Sequence, residues 1–177
     1  VAGLTSQERL QPSLLDRLTD DQPSSAREAL DARVLNKSQL RNAVLRDLAW
    51  LFNATREEPQ IDSPDKERLE MWKAAPAACD SVANFGIPSL SGSTLTQLQF
   101  PILEDAIRRS IIRFEPRIDT KTLTVKVTND LATGNRPTSL KLVIRGHMWN
   151  QPVPLELLLS ADVDVDTGQA VVRDMRN

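Results

Sequence analysis

The stretch PILEDAIRRSIIRFEPRIDTKTLTVKVT, from Pro101 to Thr128, decides the fold, because its apolar period changes once along its length. Leu103, Ala106/Ile107, Ser110/Ile111 and Phe114 recur at three and four residues and form one stripe of a helix. Pro101 suits a first helical turn, where its missing N–H would have no partner anyway. Glu104–Arg108 and Asp105–Arg109 are spaced i, i+4 with the acid first, so two surface ion pairs of about 0.3 kcal/mol each are expected. Pro116 then forces Glu115 out of helical geometry and stops the helix. From Thr122 to Thr128, Leu123, Val125 and Val127 alternate with Thr and Lys, the period of a half-buried strand.

C-terminal to this stretch the strand period persists. Leu140, Leu142 and Ile144 alternate, and Leu155, Leu157, Leu159, Ala161, Val163 and Val165 keep one parity. Asp166, Thr167 and Gly168 read as a turn, and Gln169 to Val172 as a returning strand. N-terminal to it the helical period holds. Leu40, Val44, Leu48 and Leu51 define an amphipathic helix of about four turns, with Ser38 as the expected N-cap and an end near Phe52 or Asn53. Residues 55–66 (TREEPQIDSPDK) read as an exposed connection, and residues 67–75 as a short helix ended by Pro76. Residues 80–92 (DSVANFGIPSLSG) break regular structure.

The earliest stretch places Leu14, Leu15 and Leu18 on one side of a helical turn, followed by the linker-like TDDQPSS of residues 19–25. A short anchor on an arm and a frayed terminus both fit that pattern. Helices first and an antiparallel sheet afterwards make an α+β layout. The expected organisation is an amphipathic segment and linker over residues 1–35 and a single α+β domain over residues 36–177, with no internal repeat.

The 177 residues carry 22 Lys+Arg and 24 Asp+Glu, a net charge of −2 that argues against retention on nucleic acid or anionic lipid by bulk charge. Catalytic equipment is sparse. There is one Cys, Cys79, which cannot form an internal disulfide, and one His, His147, which excludes multi-His metal sites; there is no Tyr. No G-x-S-x-G or phosphate-cradling glycine loop is present. The Asp162-Val163-Asp164-Val165-Asp166 row fails as a calcium loop, with Thr167 and Arg173 where Gly and a bidentate acid are required, so it is expected to be a solvated strand face. No metal and no cofactor are expected. No run of about 18 apolar residues is present, and neither membrane insertion nor a signal peptide is expected. The expected location is the cytoplasm.

Two kinds of chemistry remain. Glu104 and Glu115 are the pair a glycoside hydrolase would use. Glu115 sits between Arg113 and Arg117, whose guanidinia favour the ionised carboxylate, the opposite of what a general acid requires. The other candidate is the corner itself. Arg113, Glu115 and Arg117 emerge around the rigid Pro116, which suits docking by preorganised charge. An internal Glu–Arg brace fits the same residues.

Four segments, in order, then resemble one family. Leu14-Leu15-Asp16-Arg17-Leu18 resembles its L-L-[DE]-R-L segment, and residues 45–53 (LRDLAWLFN) its R-D-L-x-W-L-L-N helix. Residues 81–88 (SVANFGIP), with Ser91-Gly92, resemble S-V-L-N-[YF]-G-[LI]-P-[DS]-L-S-G, and Phe114-Glu115-Pro116-Arg117-Ile118 carries its E-P-R signature. Ala83, Phe52 and Ser89 replace the commoner Leu, Leu and Asp. The family is TssE, the type VI secretion baseplate wedge subunits, together with the small wedge protein of contractile-phage baseplates. The resemblance implies a cytoplasmic, non-enzymatic structural protein with a fold like the interlocking domain of the sheath subunits. It implies docking on a core bundle of TssF and TssG through Glu115, Pro116 and Arg117, with Arg113 beside them, in a baseplate assembled at the inner membrane with TssK. It further implies initiation of a contractile sheath of TssB and TssC by strand addition at a sheet edge. The family has also carried a lysozyme-like label, and the alternative it leaves is a peptidoglycan hydrolase using Glu104 and Glu115.

Overall fold

The computed structural model describes residues 14–19, 24, 37–59, 63–90, 99–129, 139–148 and 154–176. Five α-helices and one 3-10 turn (Val82–Asn84) precede four strands among them: α1 (Leu14–Leu18), α2 (Lys37–Asn53), α3 (Lys66–Ala74), α4 (Pro76–Cys79) and α5 (Phe100–Phe114), then β1 (Thr124–Asn129), β2 (Ser139–Met148), β3 (Leu155–Asp164) and β4 (Ala170–Asp174). The expected α+β class holds. The linker expected at residues 19–25 lies almost wholly outside the described residues.

The strands form one antiparallel sheet in the order β1-β2-β3-β4. Register follows the alternation seen in the sequence: Val127 faces Leu142, Leu142 faces Ala161 and Ala161 faces Val172, so one parity crosses all four strands. That face is covered by α5 over β1 and α2 over β4. Leu40, Val44, Leu48 and Leu51 of α2 and Leu103, Ile107 and Ile111 of α5 meet it in one buried cluster. β3 ends at Asp164, one residue before the expected Val165, which is still buried. Gly168 turns the chain into β4 at φ +70°, a conformation that favours glycine.

Two local expectations are corrected. α2 starts at Lys37, so Ser38 lies inside the helix and is not its cap. Pro76 does not merely end α3; it also occupies the first turn of α4, as proline can.

The irregular segment after α4 locks the end of α2. The Ile87 N–H donates to the Ala54 carbonyl at 2.9 Å and the Arg56 N–H donates to the Ile87 carbonyl at 3.0 Å, a parallel bridge between two loops. The buried Asn84 side chain accepts from the Glu58 N–H at 3.0 Å and donates to the Glu58 carboxylate and the Cys79 carbonyl. These bonds satisfy loop backbone that would otherwise be buried without partners.

At the opposite end of the sheet Arg41 of α2 ties down β4 by a 2.7 Å bond to Asp174. Burial alone would push the Asp174 carboxyl up. Hydrogen bonds from Arg41 and the Arg176 N–H, with the charges of both guanidinia, outweigh it and hold the group below its ordinary value. A depressed carboxylate contributes stability that is complete above its unfolded value, near pH 4, and is lost as pH falls through the folded value. Asp174→Asn is therefore expected to cost about 1–2 kcal/mol at pH 6. The gap to wild type in urea midpoint should narrow as the pH is taken from 5 to below 3. A gap independent of pH would contradict the charge argument.

Candidate functional site: the Glu115–Pro116–Arg117 corner

The corner is built where α5 ends. Glu115 caps the helix at φ −126°, ψ 77°, outside helical geometry as the following proline requires, while its N–H still donates to the Ile111 carbonyl. The Ile118 N–H donates to the Glu115 carbonyl and closes the turn at 3.2 Å. Just beyond it Ile118 bridges to Met148, and the Asp119 N–H donates to the His147 carbonyl at 2.8 Å. The corner is thereby fastened to both α5 and β2. Pro116 stands exposed at its tip.

Glu115 is 2% exposed, although it is an acid at a surface turn. Both its oxygens are taken up by Arg117: Nε donates to Oε1 at 2.6 Å and Nη2 to Oε2 at 2.5 Å, the two-pronged geometry a guanidinium makes with a carboxylate. Arg117 Nη2 also donates to Asp47 Oδ2 at 2.5 Å. Asp47 accepts in turn from Arg46 Nε at 3.0 Å, and Arg46 Nη1 reaches Asp16 of α1 at 2.6 Å. The result is a line of alternating charges, Asp16–Arg46–Asp47–Arg117–Glu115, running from α1 across α2 to the corner.

Burial alone would lower the basicity of Arg117; the hydrogen bonds and charges of Glu115 and Asp47 more than reverse this and raise it above its ordinary value. Arg46 is raised too, chiefly by its hydrogen bond to Asp16 against opposing burial, with Asp47 adding to it.

Arg113, expected beside Glu115, points away from it. Its guanidinium donates to the Cys79 carbonyl and pairs with Asp80, tying α5 to the end of α4. The structure thus brings Glu115, Pro116 and Arg117 together and sends Arg113 to a neighbouring face. Sequence reasoning missed Asp47 and Arg46 as partners, although both lie in the quoted LRDLAWLFN segment. They are about seventy residues from the corner in sequence, and no local spacing signals the pairing.

Glu104 does not pair with Arg108 as the i, i+4 spacing led one to expect. It crosses to the edge of the sheet, accepting from the Val127 N–H at 2.9 Å and the Lys126 ammonium at 3.2 Å. Arg108 donates instead to the carbonyls of Leu123 and Thr120. A carboxylate and a guanidinium that can satisfy edge backbone gain more there than in a solvent-exposed pair with each other. Asp105–Arg109 does form, at 3.3 Å.

Glu104 and Glu115 are eleven residues apart on one helix, about 16 Å along its axis. Glycosidase carboxyl pairs sit within about 9.5 Å of each other. Both acids are also occupied, one by sheet backbone and Lys126, the other by Arg117.

The Cys79 thiol has a structural partner, donating to the Trp72 carbonyl at 3.3 Å; the His147 backbone N–H donates to Thr122 Oγ1 at 3.0 Å, and the His147 side chain lies on an exposed position of β2. Asp162 pairs with Arg173 across two strands at 2.5 Å, while Asp164 Oδ1 accepts the N–H groups of Asp166 and Thr167 in the turn. Among the described residues no group of three or more His, Cys, Asp or Glu side chains is placed to hold a metal ion. None of the described helices is long and apolar enough to cross a membrane.

Beside the corner lies an open apolar notch of about 320 Å³, walled by Leu48, Trp50 and Leu51 of α2 with Phe85 and Phe114. Phe85 and Phe114 meet edge to face with centroids 5.1 Å apart.

No curated protein and no solved structure matches the chain. The family model of baseplate wedge protein gp25 matches residues 38–153, a span that runs from α2 through the corner to the end of β2. More than half of the chain is covered, the braced corner and the helix that braces it included, and the chain accordingly belongs to the baseplate wedge protein gp25 family, a family of baseplate structural components.

Proposed function

We propose that this chain is a non-enzymatic wedge subunit of a type VI secretion baseplate. It docks on a core bundle of TssF and TssG by the Glu115–Pro116–Arg117 corner and starts polymerisation of a TssB–TssC sheath. The observation that carries this is the family match across a corner already braced on three sides before any partner arrives. A turn held in place does not lose conformational freedom on binding, which is how preorganisation raises affinity. Glu115 contributes from below, by holding Arg117 and Pro116 in position, and Pro116 and Arg113 form the accessible part. In this reading residues 36–177 act as one unit, in the cytoplasm, in a baseplate that also carries TssK and assembles at the inner membrane.

Sheath initiation by strand addition calls for a free sheet edge. On β1, Glu104 covers the edge by accepting the Val127 N–H, and Arg108 donates to the Leu123 carbonyl just before the strand. On β4 the Asn53 amide brackets Ala170, accepting its N–H at 3.0 Å and donating to its carbonyl at 2.9 Å. Backbone groups alternate in direction along an antiparallel strand, so Val172, two residues on, presents the next outward pair. We assign strand addition to that part of β4. The Val172 amide should gain protection from hydrogen exchange when sheath subunits bind.

Arg113→Glu is the most direct test of docking, because this residue is exposed and not part of the buried line of charges. Co-purification with TssF and TssG should fall at least tenfold while the melting temperature stays within about 4 °C, as for a change of about 1 kcal/mol or less. Failure of the unaltered protein to co-purify with either subunit would overturn the docking proposal. Clearing of cell-wall material by the purified protein, stopped by Glu115→Gln, would overturn the non-enzymatic one.

A further inference from the structure

Arg56 lies just past the end of α2, and its backbone is fixed: its N–H donates to the Ile87 carbonyl at 3.0 Å, beside the bond from Ile87 to Ala54. Its side chain makes no hydrogen bond or ion pair with the described residues. Nε is buried without a partner, while part of the side chain stays open to solvent. Burial holds the basicity of Arg56 below its ordinary value; Glu58 offsets part of this, and the charges of Arg109 and Arg113 add to it. Glu58 is itself bonded to the Asn84 amide at 3.0 Å. The two neighbouring arginines have counter-charges, Arg109 in Asp105 and Arg113 in Asp80. A half-desolvated charge with no bonded counter-charge costs the free chain stability, and folded proteins rarely leave such groups unmatched.

We propose that Arg56 is the open half of an interface ion pair, and that it receives one carboxylate of the wedge partner where α5 meets the loops after α2 and α4. This deepens the docking proposal, on which it rests, and adds a contact apart from the Glu115–Pro116–Arg117 corner. The surroundings favour a single carboxylate. Arg109 and Arg113 each hold an acid already, so the charge left to match is that of Arg56. A phosphate would bring about two negative charges to a rim where Asp80 and Asp105 are themselves exposed. The site is also continuous with the accessible part of the corner. Arg113 and the Asn84 amide share the Cys79 carbonyl as acceptor, and Asn84 bonds Glu58, two residues from Arg56. A guanidinium on a backbone already pinned by hydrogen bonds gives up little freedom on pairing, and its planar fork suits a carboxylate.

The experiment has one arm on the free chain and one on its complex. Arg56→Met keeps the apolar length of the side chain and removes its charge, so the melting temperature of the free full-length chain should rise by about 2–4 °C. A fall in both Arg56→Met and Arg56→Gln would overturn the unmatched charge. Affinity for co-expressed, purified TssF–TssG should drop about tenfold or more in Arg56→Met, the worth of one charged hydrogen bond, with Arg56→Lys between the two. Wild-type affinity in Arg56→Met would overturn Arg56 as a contact while leaving docking by the corner intact. A melting temperature of the wild-type chain raised by inorganic phosphate, with no such rise in Arg56→Met, would assign the site to a small anion and overturn the partner carboxylate. If the wild-type chain binds no wedge subunit, the docking proposal falls and takes this one with it, whatever the free chain shows.

Discussion

Gly86→Ala is expected to cost the protein about 3–5 kcal/mol, the largest loss from removal of no contact at all. Gly86 adopts φ +133°, a region that L side chains rarely enter. A Cβ built there would lie 2.4 Å from the Ala54 carbonyl oxygen, 2.7 Å from its carbon and 2.8 Å from the Arg56 nitrogen. All three are backbone atoms, so no side chain can swing away to relieve the clash. The same atoms carry the two bonds joining Ile87 to Ala54 and Arg56, so the loop must open to admit a methyl group. Strain of about 1–3 kcal/mol and the loss of two backbone hydrogen bonds at about 1 kcal/mol each give the stated range. At about 2–4 °C per kcal/mol for a chain of this length, the melting temperature should fall by on the order of 10 °C. An unfolding free energy from urea titration within 1 kcal/mol of wild type would show that the loop relaxes freely, and the lock between α2 and the segment after α4 would then carry little weight.

The second large effect belongs to Glu115. Glu115→Ala should destabilise by about 2–4 kcal/mol, because it strands the Arg117 guanidinium with Asp47 as its remaining carboxylate partner. Removing one member of a fully buried pair costs about 3–5 kcal/mol; Arg117 keeps some exposure, which lowers the estimate. The double variant Glu115→Ala/Arg117→Ala should be less destabilised than the sum of the singles, with a coupling of about 1–3 kcal/mol. Arg117→Lys should not substitute, since a single ammonium cannot make the two parallel bonds and also reach Asp47. Additive single effects in denaturant titrations would contradict the brace. This bears directly on docking: a Glu115 variant that loses its partners will also melt early, so it cannot separate contact from positioning. Arg113→Glu, outside that line of charges, can.

Most of the strands and the two long helices were legible because each is amphipathic, and amphipathic segments report their own period. Val125, Val127, Leu142, Ile144, Leu159 and Val163 alternate because one face of the sheet meets α2 and α5; the register between strands then follows from keeping those residues on one side. Helix starts were less legible. Ser38 has the chemistry of a cap, but α2 begins before it. Side-chain partners were the least legible part. Glu104 had a permitted helical neighbour in Arg108 and took the backbone of β1 instead, a choice that depends on where the sheet edge comes to rest.

The corner shows the same division at closer range. Its residues, the end of α5 at Pro116 and the resemblance carried by four ordered segments are properties of the sequence, since they depend only on local backbone restrictions and residue identity. Whether Glu115 faces water or the interior is not local. It depends on α2 bringing Asp47 alongside Arg117 and on Arg46 holding Asp47 in turn, contacts made across some seventy residues by the packing of two helices on one sheet. Sequence alone therefore determined that a rigid, charged corner exists. Tertiary structure decided that its carboxylate is buried as a brace and that Pro116 and Arg113 stay exposed, because a buried charge is stable only where the fold supplies its counter-charge.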